Sequence, residues 1–176
     1  MYLDTDAVHQ RGGLGAARYA MLENDLEIPP RGVCNATAVR MASRKLSHLY
    51  DTALAPVALK ATQFSLLAEL GRRQSSPPTM KELARAMAME RSTLGQNMLP
   101  LEREGLVQQR NDTEDGRKRR LYLTSRGRDK LVTGLPLWEN AQRRFEEVLG
   151  TATASELRDI LTKIASSNEL ALPDPD

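Results

Sequence analysis

The sequence predicts a mainly α-helical chain carrying one small β-hairpin, on three observations. Apolar residues recur at helical spacing through most of residues 35–164. The period changes once, where two short apolar runs flank a polar tip between residues 106 and 124. Prolines, glycines and capping residues divide the rest into helix-sized pieces.

Residues 1–32 have weak periodicity and end in Ile28-Pro29-Pro30-Arg31-Gly32, which forbids a continuous helix. They read as an arm, helical near residues 16–22, followed by a linker. A helix is predicted from Asn35 to Leu54, where Val39, Ala42, Leu46, Leu49 and Ala53 form one stripe, with Pro56 ending it. A second is predicted from Thr62 to Leu70, with Phe64, Leu67 and Ala68 inward and Gly71 in the left-handed position that closes it. Thr79-Met80-Lys81-Glu82 is a capping box that starts a short helix carrying Leu83 and Met87. After a break at residues 88–90, a helix over Arg91–Glu104 turns Leu94, Met98 and Leu101 inward and stops at Gly105. Pro100 removes a backbone bond to Gln96, so a kink is expected there, beyond the first two turns. The runs Leu106–Arg110 and Arg120–Thr124 form the hairpin. A long helix over Ser125–Leu149 carries Leu131, Leu135, Trp138, Phe145 and Leu149, with a bend expected at Pro136. A last helix carries Leu157, Ile160, Leu161 and Ile164.

Two short helices followed at once by a hairpin make a winged helix–turn–helix. The predicted organisation is therefore an arm and linker over 1–32, a winged helix–turn–helix over 61–124, and a helical dimerisation region built from 33–60 and 125–172. The stripes on the first and the last two helices exceed what one small winged helix can bury, which points to a partner copy.

The chain has 176 residues, 40% of them hydrophobic and 4% aromatic, so its core rests on aliphatic side chains. Its net charge of +2 hides an asymmetry. Residues 110–130 hold eight Lys/Arg against four Asp/Glu, whereas 131–176 hold four against eight. Cys34 is the single cysteine, which excludes an intramolecular disulfide and suits a reducing compartment. The sequence shows no signal-peptide run and no membrane span, so a cytoplasmic protein is expected.

An α-helix fits the major groove of duplex DNA, where each base pair shows its own donor and acceptor pattern. The face opposite Leu94, Met98 and Leu101 offers Arg91, Ser92, Thr93, Gln96 and Asn97 for that purpose, and Gly95 permits close approach. At the hairpin tip, Arg117, Lys118 and Arg119 with Arg120 form a cationic run suited to a polyanion. Arg117 is placed to enter a narrow minor groove and Asp115 to orient it. Double-stranded DNA is the predicted partner.

The sequence resembles the MarR family of bacterial transcription regulators over residues 34–170. DTEDGRKRRLYLTSRG (112–127) matches that family's wing pattern of an acidic tip, D-x-R and L-T-x-x-G. RSTLGQNMLPLEREGLV looks like its recognition helix and first wing strand, and LAPVALKATQFSLLAEL its second-helix region. The resemblance implies a homodimer on a pseudopalindromic operator, a repressor released by a small aromatic or anionic effector. Arg40, His48, Tyr50 and Trp138 are the candidates for the effector pocket. Two alternatives stand beside it: a redox-sensing regulator acting through Cys34, and a winged-helix module that binds protein. The first departs from the peroxide-sensing members, because Cys34 lies about two residues upstream of their cysteine, a rotation of about 200° on a helix. Ala61 stands where their second tyrosine falls. No catalytic set, metal site or cofactor is expected. Cys34 and His48 on one straight helix are about 21 Å apart and cannot form a dyad, and two lone histidines, His9 and His48, make a poor zinc site.

Overall fold

The structure, a computed structural model, describes residues 30–112, 115–167 and 170. The expected arm, apart from residues 30–32, lies outside the described residues, as does the end of the expected dimerisation region. The chain divides into two units, Met1–Ala42 and Ser43–Asp176.

Helix α1 spans Asn35–Leu54 and crosses that division. In the first unit, Gly32 takes φ 91° and the Cys34 carbonyl accepts the amide of Ala38, which starts the helix. Val39 and Met41 are exposed there. In the second unit α1 ends on fully buried Leu54 and passes into a 3-10 turn over Ala55–Val57, with Pro56 at its start.

Five further α-helices and one hairpin complete the described residues: α2 (Ala61–Arg72), α3 (Met80–Ala86), α4 (Arg91–Arg103), β1 (Val107–Asn111), β2 (Arg119–Leu123), α5 (Ser125–Leu149) and α6 (Thr151–Ser166). The α1–α2 corner is set by Asp51, whose carboxylate accepts the first amide of α2, Ala61 N, at 2.8 Å and pairs with Lys60 at 3.3 Å. Leu59, Phe64, Leu66, Leu67, Leu70, Leu83, Leu94, Met98, Leu101, Leu106, Val107 and Leu121 form one core beneath α2–α4 and the hairpin. Each buried Leu contributes about 1.5–3 kcal/mol relative to exposure, so this core is the main favourable contribution holding α2–α4 to the hairpin.

Three expectations are corrected. Gly71 does not cap α2, which runs on to Arg72. A Cβ at Gly71 would sit 3.6 Å from both Leu123 and Leu131, so the glycine serves packing instead. The strands shift by one residue, pairing Val107 with Leu123 and Asn111 with Arg119. On α5 the fully buried positions are not the large residues but Gly127, Gly134 and Ala141, one every two turns. The large side chains flank that seam, and Leu135 and Leu149 remain exposed. Both α4 and α5 continue through their prolines, Pro100 and Pro136.

Candidate nucleic-acid interface

Helix α3 begins with the capping box read from the sequence. The Glu82 amide donates to the Thr79 hydroxyl at 3.3 Å, and the Glu82 carboxylate accepts the Thr79 amide at 2.7 Å. These bonds, first from the Thr79 amide, hold the Glu82 carboxyl below the usual carboxylate range. The helix is closed by Met89 N donating to the Ala84 carbonyl at 2.9 Å, with Ala88 left-handed at φ 49°. That tight turn launches α4 with Glu90 extended and no side chain capping the helix start.

On α4, Leu94, Met98 and Leu101 are buried, while Arg91, Ser92, Thr93 and Gln96 are exposed. Nothing would meet a Cβ at Gly95 within 4 Å, so the backbone there faces open space. Asn97 is half-buried, and its side-chain amide donates to the Thr93 carbonyl at 2.8 Å. In this state Asn97 is folded back on its own helix, and base contact requires that bond to be exchanged.

A groove of about 650 Å³ runs between α3, the start of α4 and the wing. Lys81, Arg85, Arg91, Lys118 and Arg119 line it. Lys81 and Arg85, which the sequence reading missed, lie one turn apart on the face of α3 opposite buried Leu83 and Ala84. That spacing was the available signal. Helix starts and clustered cations both favour phosphate.

The wing tip differs from expectation in one contact. Asp115 accepts the backbone amide of Arg117 at 3.2 Å and pairs with Lys118 at 3.3 Å. It thus shapes the turn and neutralises Lys118 without a bond to the Arg117 guanidinium. Arg117, Lys118 and Arg119 are exposed. Arg120 is not part of the exposed run: its Nε donates to Asp112 at 2.6 Å and its Nη1 to the Pro77 carbonyl at 2.7 Å.

The wing closes on α5 through Thr124. Its hydroxyl accepts the Gly127 amide at 3.0 Å and donates toward the carbonyls of Gly105, at 2.7 Å, and Leu106, at 3.1 Å. This is the physical content of the L-T-x-x-G pattern: the threonine caps α5, and the glycine lets that helix lie against the start of β1.

Within the second unit, His48, Tyr50 and Trp138 do not line one cavity. Arg40 lies on the part of α1 in the first unit. His48 lines a small cavity of about 400 Å³ with Leu49, Asn140 and Arg144. The Tyr50 hydroxyl bonds Gln142 of α5, and burial pushes its pKa up. His48 and Tyr50 are two residues apart, about 200° around a helix, so they face different neighbours. Trp138 lines a separate, open cavity of about 590 Å³. It stacks on Phe64 at 6.1 Å, with Leu123, Leu131 and Leu135 as apolar walls and Arg72 and Arg128 at the polar rim.

Cys34 is exposed, and hydrogen bonds from the Thr37 hydroxyl and then the Thr37 amide hold its thiol below the ordinary value. Among the described residues no cluster of His, Cys, Asp or Glu could hold a metal ion, and no helix is long and apolar enough to cross a membrane.

The sequence profile of the MarR family matches residues 59–118, from the loop before α2 into the wing. Among solved structures, the Mycobacterium tuberculosis transcriptional regulator MosR in complex with DNA is 34% identical, covering 77% of this chain and 96% of its own, with a TM-score of 0.68. A transcriptional regulator of Pseudomonas aeruginosa, itself described as probable, is 26% identical over 75% of this chain and 97% of its own, with a TM-score of 0.68. The transcriptional repressor CouR, bound to a 23-mer DNA duplex, is 25% identical over 79% of this chain and 99% of its own, with a TM-score of 0.69. No curated protein matches the chain. Profile, identity and wing geometry agree: the chain belongs to the MarR family of DNA-binding transcription regulators.

Proposed function

We propose that the chain is a repressor that binds a pseudopalindromic operator as a homodimer and is released by a small aromatic anion. In this reading Arg91, Ser92, Thr93, Gln96 and Asn97 face the major groove. Arg117 enters the minor groove, while Lys118 and Arg119 meet flanking phosphates and Asp115 shapes the tip. The observation that carries it is the exposed polar face of α4 beside a groove lined by Lys81, Arg85, Arg91, Lys118 and Arg119, with the inward-turned Arg120 at its wall. Cations gathered around a helix start favour a polyanion over a neutral protein surface. The repressor and operator readings draw support from CouR, a repressor bound to DNA.

The homodimer is supported by unpartnered apolar surface. Ile160, Leu161 and Ile164 on α6 and Val148 and Leu149 at the end of α5 are all exposed. Two copies placed by a two-fold axis present their α4 helices about 34 Å apart, one turn of DNA. Selection from random duplexes tests the reading. The expected result is an enriched inverted repeat with that spacing, and a log–log salt slope of about −0.9 per phosphate contact. Recovery of unrelated duplexes with a flat salt dependence sinks it.

Of the four expected residues, the effector reading centres on Trp138 and its cavity. Its apolar walls suit an aromatic ring and Arg128 suits a carboxylate, whereas Arg72 is already paired with Glu69 at 3.0 Å. Trp138 is the only tryptophan, so its emission reports on this cavity alone. Benzoate-type acids are expected to change Trp138 fluorescence saturably, with an affinity about tenfold weaker in Arg128→Ala, the loss of one charge-assisted contact. Emission that ignores such acids while they still release DNA places the effector elsewhere.

A further inference from the structure

We infer that Arg120 is a positioning residue for the wing, its guanidinium joining Asp112 at the neck of the hairpin to the loop before α3. The inference rests on the proposed reading of the tip cations as DNA contacts. A two-stranded hairpin is marginal in water without a third element to hold it. Here the third element is the Pro77–Thr79 stretch. The Leu121 amide donates to the Pro78 carbonyl at 2.8 Å, and Thr79 forms a bridge with Arg120. The Arg120 side chain closes the same seam with two bonds, to Asp112 and to the Pro77 carbonyl, of 2.6 and 2.7 Å. The pair is sheltered, with side-chain exposures of 26% for Arg120 and 6% for Asp112.

A rigid planar fork can serve the carboxylate and the carbonyl together, which a lysine ammonium cannot do with the same geometry. Of four consecutive cations, the last is thus turned inward and spent on orientation. It ties β2 to the loop that leads into the helix pair carrying α4. The groove-facing tip and the base-facing helix are then held in one frame.

The test turns on sign. Removing the carboxylate of Asp112 takes a negative charge from a surface that meets a polyanion, so electrostatics alone predicts tighter binding. The positioning role predicts the opposite. DNA affinity of the full chain is measured against salt for Asp112→Ala, Asp112→Asn, Arg120→Lys, Arg117→Ala and the double variant Asp112→Ala/Arg117→Ala, each checked by circular dichroism. The expected result is about tenfold weaker binding for Asp112→Ala, with a salt slope reduced by more than the roughly 0.9 of a single phosphate contact although no cation was removed. Arg120→Lys, which keeps the charge, is expected to match it, and Asp112→Asn to fall between. Arg117→Ala is expected to cost clearly less in the Asp112→Ala background than in the wild type.

Asp112→Ala binding as tightly as the wild type or tighter, while Arg117→Ala weakens binding, overturns the inference alone. Additivity of the pair within about twofold does the same. Arg117→Ala binding like the wild type overturns the reading of the wing and the inference with it. If Arg120→Lys fails to fold, the Asp112 series decides the outcome by the same signs.

Discussion

Gly127→Ala is expected to lower the melting temperature by roughly 6–12 °C, from a loss of about 3 kcal/mol at 2–4 °C per kcal/mol for a chain of this size. A Cβ at Gly127 would run into the Leu106 carbonyl oxygen and lie 2.7 Å from a Leu123 methyl and 3.0 Å from the Leu106 carbonyl carbon. Neither Leu106 nor Thr124 can yield. Leu106 lies between the end of α4 and β1, its amide donates to the Leu101 carbonyl, and its carbonyl accepts the Thr124 amide at 3.1 Å. The clash is with backbone, so no rotamer change relieves it. Helix propensity favours alanine by up to about 1 kcal/mol, and the estimate already concedes that term. Gly95→Ala is the control: it lies in α4 with open space around its Cα, and there the propensity gain stands alone. Thermal unfolding of the two variants measures the difference. Equal melting temperatures would show that α5 can move away from β1 at no cost.

Replacing Arg117, Lys118 and Arg119 together by alanine is expected to weaken operator binding by on the order of a hundredfold near physiological salt. The log–log salt slope should fall by about 2–5, at roughly 0.9 per phosphate contact from one or two wings. All three side chains are exposed, and none belongs to the core, so stability should hardly change. Lys118 contributes less than its neighbours, because its pair with Asp115 must be given up on binding. Base preference at positions read by α4 is expected to survive, since Arg91, Ser92, Thr93 and Gln96 are untouched. Titration of one labelled operator over a range of salt is sufficient. A slope that stays at the wild-type value would mean that the tip does not meet phosphate.

Much of this was legible in the sequence because local physics decided it. Thr79 and Glu82 are a capping box by spacing alone, and they form one. Gly105 ends α4 in the left-handed region, with φ 68°, as a glycine after a periodic stripe should. The turn between α3 and α4 was harder, since an alanine, Ala88, holds the left-handed position and composition gives no sign of it. Gly71 misled for the complementary reason: a glycine near a helix end reads as a cap, and only the approach of Leu123 and Leu131 shows that it serves packing. The seam of α5 escaped because hydrophobic periodicity looks for large residues, and here the buried positions are small. The site divides the same way. The polar face of α4 follows from its stripe, whereas the inward turn of Arg120 depends on Pro77, 43 residues away. No local pattern separates it from the three cations before it.

The seam itself has a mechanical meaning. Gly127, Gly134 and Ala141 give α5 a smooth rail, and at Gly134 the Phe64 ring comes within 3.0 Å of where a Cβ would stand. Interlocked side chains resist sliding because each must leave its socket before the next can move. A rail of small residues has few sockets to leave, so small shifts along or around the helix axis meet little resistance. On the proposed effector reading, a ligand in the Trp138 cavity is therefore expected to act by shear near Gly134 rather than by repacking the core.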